Sequence, residues 1–158
     1  CTASLGSLIA TEGSPVIRGG FVFPVPVSHG LSRSSFVWAT LIDIAFSISE
    51  NYQVLKEVSG HNSDYVWACG GGLQSRSMRQ LIANITNKRV LVRSGFEQAS
   101  AVGGAMVCNE ALGLQVEQTE NDIDTVEPQA ERIADYAKLY EQWKETRNYF
   151  KKLSVSEK

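Results

Sequence analysis

The chain has 158 residues, of which 43% are hydrophobic and 20% charged, and its formal net charge is -2. This length suits one domain and is too short for two ordinary ones, and the composition is that of a globular protein with a substantial core. A nearly neutral balance argues against a dedicated nucleic-acid-binding protein, which needs a basic excess to neutralise phosphates. The sequence contains no apolar run of about 18 residues, so we predict no membrane span.

Short strands separated by turns are predicted for the first 30 residues. Residues 3–10 mix small and apolar side chains, and residues 21–23 form a second short run. Pro24 and Pro26 follow directly, and proline is confined to strand ends and edges. We therefore expect strands here and no helix.

A long amphipathic helix is predicted from Ser34 to Ser59. Ser34 or Ser35 can cap its start, and Gly60 supplies a stop signal. Asp43 lies inside it without a partner at helical spacing, and we interpret this residue as a solvated or helix-pairing carboxylate. The apolar positions recur at three- and four-residue steps and are Val37, Leu41, Ile44, Ala45, Ile48, Tyr52 and Leu55.

Strands and helices alternate in the middle of the chain. The apolar run 65–69 predicts a strand that is buried on both faces, followed after three glycines by a helix over 77–85. Residues 89–92 predict another strand. Residues 97–112 predict a helix whose small side chains allow close helix packing, and Gly113 ends it.

The last part of the chain is predicted as a loop and a helix. Residues 115–127 are acidic and poor in large apolar side chains, which favours a loop. Pro128 suits the first turn of a final helix that continues to about Leu153, and the last five residues should be frayed. Strands that alternate with helices predict an α/β domain with at least partly parallel strands.

Residues 66–80, which read VWACGGGLQSRSMRQ, combine a strand, a glycine turn and a helix start. Glycines without side chains let a planar or anionic ligand lie against the backbone, and a helix start offers N–H groups and the positive end of the dipole. Ser75 and Ser77 can cap the helix or bind a ligand. On glycine pattern alone, a tight connection without a ligand explains the segment equally well.

The spacing of residues 70–80, Gly-Gly-Gly-x-x-Ser-x-x-x-Arg-Gln, resembles the adenosine motif of the FGGY carbohydrate kinases. Residues 36–55, 83–90 and 97–105 resemble the family's long helix, the strand after the motif and its Glu-x-x-Ala-x-Gly-Ala-Ala helix, in the expected order. Residues 136–143 also fit its C-terminal helix. The resemblance implies the actin/hexokinase/Hsp70-like, ribonuclease H-like ATPase fold, a mixed sheet flanked by helices.

By this resemblance, residues 1–158 form the single C-terminal, nucleotide-binding domain of a two-domain sugar kinase that uses ATP and Mg²⁺. Gly70, Gly71 and Gly72 would then approach the adenine and ribose, and Ser75 would hydrogen-bond to the nucleoside. Residues 2–4 are similar to the Gly-Thr-Ser turn that contacts the ATP phosphates, which makes Thr2 a phosphate ligand. Two departures from the family pattern stand out, namely Cys1 in place of the glycine of that turn and a short segment between Gly13 and Ser34.

The resemblance also implies what this chain lacks. The family's general-base Asp and first phosphate loop lie in the N-terminal domain, so we predict no catalytic residue and no kinase activity for this chain alone. A pentulose such as xylulose is the favoured substrate, with glycerol, gluconate and dihydroxypentanedione as alternatives. An exposed cleft wall predicts a tendency to associate.

Two other function classes stay open. A non-catalytic interaction or regulatory domain can reuse this fold. An N-terminal-nucleophile hydrolase would use Cys1, whose place at the start also suggests a processed product or part of a longer chain. The cysteines, Cys1, Cys69 and Cys108, form neither a CxxC pair nor a disulfide framework, and we interpret them as reduced thiols of a cytoplasmic protein.

Several side chains have simpler interpretations. His29 and His61 lack a second ligand at metal spacing, so we predict surface histidines and no metal site. Trp67 and Trp143 are predicted to be core residues. The basic residues from Arg76 to Arg93 suit either nucleotide phosphates or a solvated helix face.

Overall fold

A computed structural model of the chain describes residues 1–13, 15–114 and 122–155. Short 3-10 turns precede three of the helices and cover Gly71–Leu73, Phe96–Gln98 and Ala130–Arg132. The strands and helices follow in the order β1 (Thr2–Ser4), β2 (Gly20–Val22), α1 (Arg33–Ser59), β3 (Tyr65–Trp67), α2 (Arg76–Thr86), β4 (Arg89–Arg93), α3 (Ala99–Ala111), β5 (Ile123–Val126) and α4 (Ile133–Val155).

The strands form two sheets. In the first, β1 pairs antiparallel with β2, with Thr2 opposite Val22. In the second, the order is β3-β4-β5, and β4 lies parallel to β3 and antiparallel to β5. The second sheet is therefore mixed, and the predicted α/β class with partly parallel strands is confirmed.

The helix α1 begins slightly earlier than predicted. Its N-cap is Ser32, whose N–H donates to the Ser35 hydroxyl at 3.2 Å, and neither Ser34 nor Ser35 is the cap. The local serine pair satisfies backbone groups that would otherwise be left open at a helix start. The helix ends as predicted, because Gly60 adopts the left-handed conformation with φ 66° that ends many helices.

The core lies among α1, α2, α4 and the mixed sheet. An aromatic cluster fills its centre, where the ring centroids of Phe46 and Trp143 are 5.4 Å apart and those of Phe46 and Tyr140 are 5.3 Å apart. Trp143 is the core residue that the sequence predicted. Buried aliphatic side chains complete the core and include Ile42, Leu81, Ile82, Val90, Val92 and Val126.

Asp43 lies in this interior, so of its two interpretations the solvated carboxylate is wrong, whereas its contact with α4 supports the helix-pairing one. It is 0% exposed and accepts hydrogen bonds from the Leu5 N–H at 3.0 Å and from the Trp143 indole N–H at 2.7 Å. These donors come from the end of β1 and from α4. Its partners lie 38 and 100 residues away, which explains why helical spacing gave no sign of them.

Four predictions for the first and last parts of the chain are also wrong in part. The first strand covers only Thr2–Ser4, and residues 123–126 of the predicted loop form β5, whereas residues 115–121 lie outside the described residues. Pro128 precedes α4, which starts at Ile133. Ser154 is not frayed, because its hydroxyl is buried and accepts the N–H groups of Ile17 and Arg18, each at 3.2 Å.

The helix α3 does not pack as its small residues predicted. A 3-10 turn precedes it, and none of its side chains in the described part of the chain is buried. Met106 and Val107 are exposed, and a Cβ added at Gly103 or Gly104 would meet no atom within 4 Å. The small side chains of α3 would allow another helix to pack closely against it, but no described element does so.

Tyr140 gives the fold an expected alkaline pH dependence. Its hydroxyl donates to Glu50, and burial, reinforced by that carboxylate, raises the pKa of the phenol. A group whose pKa is raised on folding stabilises the protein below its unfolded pKa, about 10 for tyrosine, and loses that contribution as the pH rises further. We expect the free energy of unfolding to fall above about pH 10, and to fall less in Tyr140→Phe.

Urea unfolding between about pH 8 and about pH 11 measures this difference. Tyr149→Phe is the matched control, because Tyr149 is exposed and its removal should leave the alkaline loss as in the parent chain. Equal pH profiles for Tyr140→Phe and the parent would contradict the role given to the Tyr140 hydroxyl.

Candidate nucleotide-binding turn

The glycine turn connects β3 to α2. The chain stays in the sheet up to Ala68, whose N–H donates to the Leu91 carbonyl at 2.9 Å. Gly70 then turns the backbone with φ 97° and ψ 159°, and the Leu73 N–H closes the following 3-10 turn onto the Gly70 carbonyl at 3.0 Å. The turn therefore presents its backbone at the carboxyl end of β3.

The three glycines differ in why glycine is needed. Gly70 has a backbone conformation that is nearly restricted to glycine. Gly71 and Gly72 are exposed, lie outside the left-handed region, and would place a Cβ where no atom lies within 4 Å. The fold requires glycine only at the first position. Close approach of a ligand to the backbone would explain the other two.

Ser75 caps α2 immediately after the turn. Its hydroxyl accepts the Met78 N–H at 3.4 Å, and its side chain is exposed. The other N–H groups of the first helical turn have no partner within the helix, and the positive end of the helix dipole lies there. Such a helix start favours an anion or a polar ligand oxygen.

Most of the basic residues after the turn are already engaged. The Arg79 guanidinium pairs with Asp124 at 2.5 Å, and Arg89 pairs with Asp64 at 2.5 Å. The Arg93 guanidinium lies 4.6 Å from the ring centroid of Trp67. These three side chains contact other protein groups, whereas Arg76, at the start of α2, is exposed.

Trp67 is not the core residue that the sequence predicted. It is 45% exposed at the end of β3, where its other ring neighbour is Tyr65 at 6.3 Å between centroids. The apolar run 65–69 predicts a strand that is covered on both faces. Among the described strands, however, β3 lies at the edge of the sheet, with β4 as its one neighbour.

A groove of about 410 Å³ lies along α2 beyond the turn. Hydrogen bonds between amide side chains fix its floor, because Asn84 donates to Gln129 at 3.1 Å and accepts from Gln80 at 3.0 Å. Trp38, Arg76 and Arg132 are among its other lining residues, and no carboxylate lines it within the described residues. Sequence reasoning missed this groove, since Gln129 and Arg132 lie about 50 residues after the turn and no local pattern connects them.

The structure brings Gly70, Gly71, Gly72 and Ser75 together and places Thr2 elsewhere. Thr2 lies in β1 of the two-stranded sheet, which shares no strand with the mixed sheet. The next two side chains of β1, those of Ala3 and Ser4, are fully buried. Thr2 itself is half-buried at the start of β1.

The cysteines and histidines lie at the surface. The Cys1 thiol is free and exposed, and the base of an N-terminal nucleophile would be the α-amino group of Cys1 itself. Cys69 and Cys108 are also free and exposed. The predicted surface histidines, His29 and His61, are exposed as well, and Nε2 of His61 lies 2.6 Å from the Ser63 hydroxyl. The described part of the chain contains no group of three or more residues that could hold a metal ion, and none of its helices is long and apolar enough to cross a membrane.

Comparison with known proteins connects this site to an enzyme family. A sequence model of the C-terminal domain of the FGGY family of carbohydrate kinases matches residues 12–112. A putative sugar kinase, YoaC, from Bacillus subtilis (strain 168) is 45% identical over 150 residues, which cover 95% of this chain and 30% of the relative. A xylulose kinase from Lactococcus lactis subsp. lactis is 26% identical over 136 residues, or 82% of this chain and 26% of the relative.

Solved structures share the fold. A gluconate kinase from Lactobacillus acidophilus matches 89% of this chain and 28% of its own with a TM-score of 0.64 and 25% identity. A ligand-bound xylulose kinase from the same organism matches 85% of this chain and 27% of its own with the same score and identity. The chain thus spans less than a third of the length of these relatives, and the predicted actin/hexokinase-like ATPase fold is confirmed.

Proposed function

The chain belongs to the FGGY family of carbohydrate kinases, and from this membership we propose that it is the ATP-binding C-terminal part of a sugar kinase. The complete enzyme would transfer the γ-phosphate of ATP to a hydroxyl group of a sugar or polyol. The observation that carries the proposal is the exposed pair Gly71 and Gly72, which the fold does not require to be glycine and which directly precede the start of α2.

In this proposal the nucleoside lies against the glycine turn. Its adenine and ribose would pass close to the backbone of Gly71 and Gly72, and the exposed Ser75 hydroxyl would hydrogen-bond to the nucleoside. The start of α2 contributes its dipole to the same region. Thr2, half-buried at the start of β1, would donate its hydroxyl to a phosphate oxygen.

Mg²⁺ would arrive with ATP, whose phosphates it binds and whose charge it partly neutralises during transfer. The described residues offer no cluster of carboxylates for a resident ion, which suits a metal that is held by the nucleotide phosphates. The general base and the sugar-binding residues would come from the rest of the protein, since this chain spans 30% of its relative from B. subtilis. We expect no phosphoryl transfer by this chain alone.

A pentulose such as xylulose is the substrate that we propose. The names of the L. lactis relative and of one solved neighbour, both xylulose kinases, support this choice, whereas the gluconate kinase neighbour supports a sugar acid. The free thiols of Cys1, Cys69 and Cys108 are in keeping with a cytoplasmic enzyme.

Calorimetric titration of this chain with Mg-ADP tests the proposal. We expect saturable binding with a dissociation constant of about 1 mM or tighter, the range in which enzymes usually hold their substrates. Absence of saturable heat at several millimolar ADP, confirmed by ligand-observed NMR, would contradict a nucleotide site at the glycine turn.

A non-catalytic interaction domain is the second candidate function. Two observations favour it, namely Cys1 in place of the glycine expected in the phosphate turn and the apolar, unburied helix α3. This alternative predicts that the complete protein, with its N-terminal part present, binds no ATP. The exposed α3 also predicts self-association of the isolated chain, which sedimentation velocity would detect as a concentration-dependent increase in mass.

A further inference from the structure

Asp43 joins three elements through one buried carboxylate. In the middle of α1, its Oδ2 accepts the Leu5 N–H at 3.0 Å and its Oδ1 accepts the Trp143 indole N–H at 2.7 Å. The side chain is 0% exposed, and it makes no ion pair within the part of the chain that the structure describes. Each oxygen is thus held by one neutral donor from a different element.

Packing does not explain a carboxylate at this position. Removing a carboxylate from water is costly, and neutral donors compensate that cost less fully than a cation does. An aliphatic side chain of similar volume would fill the same space among α1, α4 and β1 without that cost, but it would leave two donors without an acceptor. What the carboxylate of Asp43 supplies, and an aliphatic side chain does not, is a fixed hydrogen bond to the backbone of Leu5 and another to the indole of Trp143.

That hydrogen bond sets the position of β1. Leu5 directly follows the strand, and Thr2 lies three residues before it along an extended backbone of nearly fixed length. The strand is also confined from another side, because a Cβ added at Gly19 would lie 2.3 Å from the Ser4 carbonyl oxygen. Asp43 and Gly19 together leave the end of β1 little room to shift.

We infer that Asp43 is a positioning residue that holds β1 so that Thr2 reaches the phosphates of the bound nucleotide. This inference rests on the proposed function. Asp43 acts through the Leu5 backbone and touches no ligand, and the glycine turn lies in the other sheet. Loss of Asp43 should therefore weaken the phosphate contact and spare the nucleoside contact.

The measured quantity is the phosphate gain of this chain, defined as the dissociation constant for adenosine divided by that for Mg-ADP. Saturation-transfer NMR gives both constants in the millimolar range. We expect Asp43→Asn, which has one acceptor for two donors, to lower the phosphate gain about tenfold, the effect of one lost hydrogen bond, and to leave the adenosine constant within about twofold. Asp43→Leu, which removes the buried charge and retains the volume, should lower the gain equally.

Thr2→Val should cause the same loss, and adding it to Asp43→Leu should cause no further loss, because both changes remove one contact. Trp143→Phe is the matched control. It removes the indole donor and retains the bond to Leu5, so the melting temperature should fall while the phosphate gain stays at the parent value.

Each other outcome is informative. An unchanged phosphate gain in Thr2→Val or in both Asp43 variants, or an equal loss in Trp143→Phe, would overturn the positioning role. If the parent chain binds adenosine without any gain from the diphosphate, this inference fails and the nucleoside part of the proposed function stands. If the parent binds neither ligand, the proposed function fails and this inference fails with it.

Discussion

Replacing Gly71 by glutamate is expected to weaken Mg-ADP binding at least about a hundredfold, or by about 2.7 kcal/mol, while the chain stays folded. Gly71 is exposed, its φ is not left-handed, and a Cβ there would meet no atom within 4 Å. A longer side chain therefore costs the fold little, and we expect the free energy of unfolding to change by about 0.5 kcal/mol or less. Titration calorimetry and urea unfolding measure the two effects.

The loss of binding has a steric and an electrostatic cause. A side chain at Gly71 occupies the volume through which a nucleoside would approach the backbone of the turn. The added carboxylate also opposes the phosphates and weakens the field of the nearby helix start, which favours negative charge. Both effects act on the ligand and leave the contacts within the protein unchanged.

Two further variants distinguish an effect on nucleotide binding from an effect on the stability of the fold. Gly104→Glu makes the same chemical change at an exposed position of α3, where a Cβ also meets nothing within 4 Å, and it should retain the parent affinity. Gly70→Ala should lower the free energy of unfolding by about 1–3 kcal/mol, because the backbone of Gly70 at φ 97° is strained for any other residue. Full ADP affinity in Gly71→Glu would remove the glycine turn from the nucleotide site.

The parts of the fold that the sequence predicted are those that local pattern determines. The sequence predicted the extent of the helix α1, which ends at Gly60, but not its buried face. Of the predicted apolar positions, Val37, Ile44, Ile48 and Leu55 are exposed, whereas Ile42 and Phe46 are buried. The order β3, glycine turn, α2, β4 follows from short runs with clear ends. The strand β5 has no such pattern. Three of its four residues are exposed, and its strand character comes from pairing with β4, with Thr125 opposite Leu91.

The candidate site likewise has one part that local sequence spacing predicts and another that depends on contacts between distant residues. Gly70, Gly71, Gly72 and Ser75 are neighbours in the chain, so their spacing shows that they share one turn. The groove beside α2 and the buried state of Asp43 depend on contacts across 45 to 100 residues, as between Asn84 and Gln129 or Asp43 and Trp143. Sequence spacing does not report such contacts, which is why it gave no partner for Asp43 and left a solvated carboxylate as one of two interpretations.

Arg147 is the second residue with a large expected effect, here on stability. Its Nε and Nη2 donate to Glu12 at 2.8 and 2.6 Å, and Nη2 also donates to the Ser7 carbonyl at 2.6 Å. The Arg147 side chain is 4% exposed and the Glu12 side chain 14%. We expect Arg147→Met to lower the free energy of unfolding by about 3–5 kcal/mol, because it leaves the Glu12 carboxylate nearly buried without its partner.

Lys151→Met provides the matched control, since Lys151 pairs with the same carboxylate at 4.0 Å but is 40% exposed. A solvent-exposed pair contributes at most about 1 kcal/mol, so this variant should unfold close to the parent in urea. If Arg147→Met and Lys151→Met lowered the free energy of unfolding equally, the buried ion pair of Arg147 would contribute no more to stability than the exposed pair of Lys151.

The double variant Arg147→Met with Glu12→Leu tests the cause of the loss. If the cost of Arg147→Met comes from a stranded carboxylate, removing that carboxylate should restore most of the lost free energy of unfolding, since apolar side chains often replace a buried ion pair without penalty. Nη1 of Arg147 is buried without a hydrogen-bond partner among the described residues, so the native pair is itself incompletely satisfied. A double variant as unstable as Arg147→Met would instead assign the stabilisation to the contacts of Arg147 with Ser7 and with the Trp143 ring, whose centroid lies 5.6 Å from the guanidinium.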